Sequence, residues 1–213
     1  MDTTHTFTKR EELLNALIHG LGALLSVAAL VVLIVAGAQT GDAWHIVSFT
    51  VFGTSMLILY TSSTLVHSFP EGKAKDWFEW LDHSSIYWFI AGTYTPFLFL
   101  AVEGALAWVL FGIVWALAIG GTLFKLYFVK RFVKLSTFLY VVMGWLIVFA
   151  WNPLTAAMTQ EGLWLLIAGG VLYTVGAIFY VWRGFLYHHA VWHVFVLAAS
   201  VCHFFSVYSL LSQ

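Results

Sequence analysis

HHAVWHVFVLAASVCHF, from His188 to Phe204, is apolar enough to lie in a membrane and yet carries four histidines. The apolar run continues to Leu210, and about 20 such residues are what a bilayer core asks of a helix. Ionisable side chains inside a span are unfavourable and tend to mark function. His189 and His193 stand i, i+4, which places two imidazoles one turn apart on one helical face. Two rings so placed can reach a single cation. His203 lies ten residues past His193, roughly 15 Å further along the helix, so it cannot share that cation and needs its own partner.

Six more blocks of the same kind precede this one. The chain has 213 residues, 62% hydrophobic and 9% charged, with a mean hydropathy of +0.91. A soluble domain carries roughly 25% charged residues. The apolar blocks run 15–37, 43–66, 82–102, 105–126, 135–152, 162–182 and 188–210. Blocks three and four are parted only by a turn near Glu103 and Gly104. The expectation is an all-α, seven-transmembrane-helix bundle. It forms one domain over 1–213, with 1–14 as an N-terminal cytoplasmic segment.

The cations test that count. Lys9 and Arg10 precede the first block. Lys73 and Lys75 lie between the second and third. Lys125, Lys130, Arg131 and Lys134 lie around the fourth-to-fifth connection, and Arg183 between the sixth and seventh. These are all nine Lys and Arg, and every second connection has none. The positive-inside rule then puts the N-terminus in the cytoplasm and the C-terminus, Gln213, outside. The first apolar run is long and lacks a small-residue cleavage site, so it reads as a span and not a signal peptide. Cys202 is the sole cysteine, which excludes an internal disulfide. A net charge of −1 with no basic patch speaks against nucleic acid as a partner. Membrane lipids are the expected surroundings, and protein partners are unknown.

On this topology the intramembrane polar groups gather at one depth, near the cytoplasmic face. Glu12, Asn15 and His19 open the first helix at i, i+3, i+7, one face. Ser63 and His67 close the second at i, i+4. Asp82 and His83 open the third, and His188, His189 and His193 open the seventh. His67 can supply a third nitrogen to the cation of His189 and His193. Three histidines leave a position open on zinc, the arrangement of a catalytic site. Asp82 would then lie near a water in that position, with Ser63 a turn from His67 to hydrogen-bond a ligand or the Asp. Simpler readings stand beside these. Glu12 and Asn15 suit helix capping, and His83 and His188 suit lipid headgroups. His45 suits an interface, His203 suits packing and His5 a tail. The seventh helix has no lysine for a retinal Schiff base, and no phosphate-binding G-x-x-x-x-G-K-S/T occurs. Two ligands on one helical turn fit zinc better than a bis-histidine haem.

Four motifs carry a resemblance over essentially the whole chain. They are E-x-x-N-x-x-x-H-G from Glu12 to Gly20, S-x-x-x-H from Ser63 to His67, L-D-H-S-S-I from Leu81 to Ile86, and H-A-V-W-H-V-F-V-L-A-A-S-V-C-H-F from His189 to Phe204. Together they resemble the hemolysin III branch of the progestin and adipoQ receptor superfamily, in its short bacterial form. The resemblance implies a multi-pass protein of the bacterial cytoplasmic (inner) membrane with an intramembrane zinc near the cytoplasmic face. It implies His67, His189 and His193 as the zinc ligands, with Asp82 reaching the metal through water and Ser63 beside it. The wider superfamily is similar to alkaline ceramidases, which implies hydrolysis of lipid amides. A hormone-receptor role does not follow, because the long N-terminal domain of the receptor branch is missing, and nothing resembles a pore-forming toxin.

Three functions compete at this level. One is a zinc-dependent hydrolase of a lipid amide, in which Asp82 and Ser63 are the catalytic pair. Another is a non-enzymatic membrane sensor or regulator in which zinc is a structural clamp. A third is a proton or ion pathway through Glu12, His19 and His203. A carboxylate beside a three-ligand site favours the first, since structural zinc takes four protein ligands.

Overall fold

The computed structural model describes residues 7–212; His5 and Gln213 lie outside the described residues. The chain forms α1 (Lys9–Thr40), α2 (Ala43–Ser68), α3 (Lys73–Leu100) and α4 (Ala105–Phe128). It continues through α5 (Val133–Trp145), a 3-10 segment (Leu146–Ala150), α6 (Trp151–Ala157), α7 (Gln160–Val181) and α8 (His188–Tyr208), with a closing 3-10 turn (Ser209–Ser212). The run from α5 to α6 acts as one unit, Val133–Ala157. Seven long helical units result among the described residues, and each corresponds to one apolar block of the sequence. No strand occurs among the described residues.

Six of the seven units are long and apolar enough to cross a membrane; α3 is the other. Its middle carries Ser84, Ser85, Thr93 and Thr95, all buried. Those groups face protein, and the hydroxyls of Thr93 and Thr95 bond the carbonyls one turn back. Burial by neighbours, and not lipid, is what lets this helix be polar. It packs on α2 and α4, with lesser contacts to α5 and α8.

The burial pattern is that of a membrane bundle. α1 turns Asn15, His19, Gly22, Ser26, Ala29 and Leu33 inward. Leu13, Leu17, Leu21 and Leu24 on its other side are 52–72% exposed. In water that distribution would be costly, whereas in lipid tails it is neutral. Small residues let the helices close. A Cβ on Gly22 would run into the Tyr60 ring, and one on Gly176 into Phe195 and Trp192. A Cβ on Gly169 would enter the His203 imidazole, whereas Gly170 meets Trp145 only at ordinary contact distance.

Helix ends follow local chemistry. Thr8 and Glu11 form a reciprocal capping box at the start of α1, so the helix begins six residues before the apolar block. Glu11, not Glu12, is therefore the capping carboxylate. Asp42 caps α2, and the Trp44 N–H that it accepts at 3.1 Å holds its carboxyl below the usual range. α3 likewise begins at Lys73, nine residues before Asp82. Helix formation there does not depend on the bilayer, because residues 73–81 continue the hydrogen-bonded ladder beyond the apolar core. The turn expected near Glu103 is present, with Gly104 at φ 73°, a conformation glycine adopts without strain.

A candidate metal centre at the charged end

The last turn of α2 and the first two turns of α8 meet at the end of the bundle that carries Lys75, Lys130 and Arg183. There His67, His189 and His193 bring one ligand nitrogen each within 4.8 Å of one another. Three nitrogens around zinc at about 2.1 Å stand about 3.4 Å apart, so small ring rotations bring them onto one ion. The rings of His67 and His193 lie 5.1 Å apart between centroids, and those of His189 and His193 4.5 Å. His67 Nε2 is buried with no hydrogen-bond partner, a condition that is expensive unless something fills it. The donor set and this orphaned nitrogen both fit a metal ion.

Polar groups gather around the cluster, beside the Phe7 ring packed on His67 and His189. Glu12 Oε2 sits 2.5 Å from His67 Nδ1, and its other oxygen 2.5 Å from Lys75 Nζ. Lys75 also reaches Glu71 at 3.2 Å. His19 stacks on His193, with centroids 3.5 Å apart and planes 10° from parallel, and its Nδ1 lies 2.7 Å from Ser63 Oγ. His193 Nδ1 lies 3.3 Å from the Asn15 carbonyl oxygen. Asp82 interacts with the Ser63 hydroxyl. Nearer the bundle's end, Lys130 bonds Asp76 at 2.7 Å and lies 3.3 Å from Glu79. The Asp76 carboxylate holds the Lys130 ammonium above its usual range.

Two cavities flank the cluster. One, of about 220 Å³, lies at the charged end, lined by Glu12, His67, Lys75, Asp82 and His189 among others. The other, of about 60 Å³, lies deeper, against His19, Ser63, Asp82, His189 and His193. Asp82 and His189 line both. A third, mostly apolar cavity of about 140 Å³ runs between α5, α7 and α8 past Tyr173, Tyr180 and Trp192. The histidine cluster thus lies between a polar cavity at the charged end and a mostly apolar one deeper in the bundle.

All five residues singled out as a site, Ser63, His67, Asp82, His189 and His193, fall in this one region. The readings of His83 and His188 need correction. His188 is 1% exposed, under the rings of Phe7 and Phe185. His83 turns inward: its Nδ1 donates to the Glu79 carbonyl at 2.8 Å and its Nε2 lies 3.2 Å from the Tyr180 hydroxyl. The Glu79 carbonyl and the Tyr180 hydroxyl give the ring polar partners there, which lets it lie inside the bundle. His203 is a packing residue, with Nε2 donating to the Leu166 carbonyl at 3.2 Å. His45 stays near the surface beside Asp42 at 2.8 Å. The sequence reading missed Tyr180, which lines all three cavities; a lone tyrosine near a helix end has no signal that separates it from an interface anchor.

Comparison with known proteins identifies the family. A family model described as Haemolysin-III related matches residues 7–204. The chain is similar to the hemolysin-3 homolog of Bacillus subtilis (strain 168), at 56% identity over 201 residues and 94% of both chains. It is 52% identical over 198 residues to hemolysin-3 of Bacillus cereus, covering 93% of this chain and 90% of that one. Monocyte to macrophage differentiation factor of Homo sapiens is 28% identical over 179 residues, 80% of this chain and 73% of the human one.

Proposed function

The chain belongs to the Haemolysin-III related family, and from that premise we propose that it is a zinc-dependent hydrolase of a lipid amide, seated in the bacterial cytoplasmic membrane. The observation that carries the reading is the cluster of three histidine nitrogens from His67, His189 and His193, with His189 and His193 lining one cavity together with Asp82 and Ser63. Structural zinc takes four protein ligands, and catalytic zinc takes three. His67, His189 and His193 would hold the ion. When bound, zinc supplies a Lewis acid and lowers the pKa of a water to about 7.

The remaining work belongs to the protein's own side chains. Asp82 is the proton acceptor, fixed in orientation by Ser63. Ser63, tied in turn to His19, offers its hydroxyl to the scissile carbonyl or to Asp82. The apolar slot beside Trp192 suits the acyl chain and the polar entrance suits the head group. The cation pattern supports a cytoplasmic location for the charged end.

Purified protein incubated with a short-chain synthetic ceramide tests the activity. Release of fatty acid that stops on chelation and resumes with zinc is the expected outcome. No release with full zinc occupancy, across ceramides of several chain lengths, contradicts it.

A further inference from the structure

The first helix gives no ligand to the histidine cluster, yet three of its residues surround it. Glu12, Asn15 and His19 lie on one face, spaced i, i+3, i+7, and all are turned into the bundle. Hydrogen-bond chemistry says what they do there. A carboxylate and a main-chain carbonyl only accept. His67 Nδ1, 2.5 Å from the Glu12 carboxylate, must therefore carry a proton. His193 Nδ1, 3.3 Å from the Asn15 carbonyl, must carry one as well. In a neutral imidazole the second nitrogen is then a bare lone pair. Both Nε2 atoms are thus left available as metal donors, and the Nε2 of His67 is buried without a hydrogen-bond partner. His19 completes the arrangement, because its ring lies flat on His193 at 3.5 Å and its Nδ1 is held by Ser63.

We infer that α1 is the positioning helix of the metal centre: Glu12 and the Asn15 carbonyl set the tautomers of His67 and His193, and His19 sets the plane of the His193 ring. This rests on reading the cluster as a metal centre. Lys75 lies outside the set. It bonds the other Glu12 oxygen at 2.5 Å and Glu71 at 3.2 Å, on the side of the carboxylate away from His67.

The test is cobalt(II) titration of the purified, zinc-stripped protein in detergent, read by visible absorption and by affinity. Loss of an orienting partner typically lowers metal affinity about 10–100-fold. Glu12→Ala is expected to show a fall of that size and a shifted cobalt band, with the melting temperature of the metal-free protein near wild type. Glu12→Gln keeps the volume and an acceptor oxygen, so it should recover most of the affinity, to within about tenfold. It also serves if Glu12→Ala fails to fold, since an affinity about 100-fold or more below wild type in Glu12→Gln would show that the charge and not the acceptor oxygen matters, and would overturn the inference. Lys75→Met breaks the ion pair and leaves the His67 bond, so its affinity should stay within about threefold of wild type. Equal losses in Lys75→Met and Glu12→Ala would mean that Glu12 merely ties α1 to α3, and that too overturns it. A wild-type protein that binds no cobalt would instead sink the metal reading on which the inference stands.

Discussion

Two regions of the bundle bury histidines, and they are built differently. At the charged end, His67, His189 and His193 come from two helices to one point, and the Nδ1 atoms of His67 and His193 meet acceptors on α1. In the other half, His203 stands alone. Its Nε2 donates to the Leu166 carbonyl, Tyr173 packs on its ring, and Gly169 leaves the gap it fills. Nearby, the Ser200 hydroxyl joins Tyr60 and Tyr173 at 2.7 Å each. That second set ties α2, α7 and α8 together with side-chain hydrogen bonds. A buried imidazole that meets a single carbonyl, with its Nδ1 left unpartnered as in His203, reads as a packing element. Several imidazoles that bring one nitrogen each to the same place, two of them anchored from behind, make a candidate metal site.

The contrast is broken most severely by removing one histidine at a time. His67→Ala, His189→Ala and His193→Ala should each lose nearly all bound zinc, whereas His203→Ala should keep it. Elemental analysis of the purified proteins reads this directly. Equal loss in His203→Ala would erase the distinction between the two regions.

Asp82→Asn sharpens the first region. Asn matches Asp in shape but takes no proton. Zinc content and melting temperature should stay close to wild type, while amide hydrolysis falls by at least about 10–100-fold. A zinc-free, destabilised variant would make Asp82 a direct ligand and the zinc a structural clamp.

The second region should respond in stability alone. Gly169→Ala forces the new methyl into the His203 ring, and overpacking of this kind costs about 1–3 kcal/mol. The readout is the thermal midpoint in detergent, with zinc content unchanged. Ser200→Ala should cost less, about 0.6 kcal/mol, the typical value for a side-chain hydrogen bond between membrane helices. A loss of zinc in either variant would show that the two halves are coupled.

Much of this was legible in the sequence because the bilayer imposes long apolar runs. Every block became a helix, and even the narrow break at Glu103 and Gly104 was real. What escaped was set by local or tertiary chemistry. The early start of α1 came from the Thr8 and Glu11 capping box, a T-x-x-E signal present in the sequence but outside the apolar block. Reading it would have freed Glu12 from a capping role. The 3-10 break at Leu146–Ala150 has no proline or glycine within it and no signal in composition. The histidine cluster was legible because i, i+4 spacing and depth constrain it from two sides. The inward turn of His83 and the burial of His188 were not, because each depends on a neighbour distant in sequence, Tyr180 for one and Phe7 for the other.

The central claim is that three imidazoles hold one zinc at the charged end. X-ray absorption at the zinc edge, on wild-type protein purified without added chelator, tests it most directly. The expected result is about one zinc per chain with three histidine nitrogens at about 2.0–2.1 Å and one oxygen. A spectrum without imidazole scattering, or a protein that retains no zinc when zinc is supplied, would contradict the account.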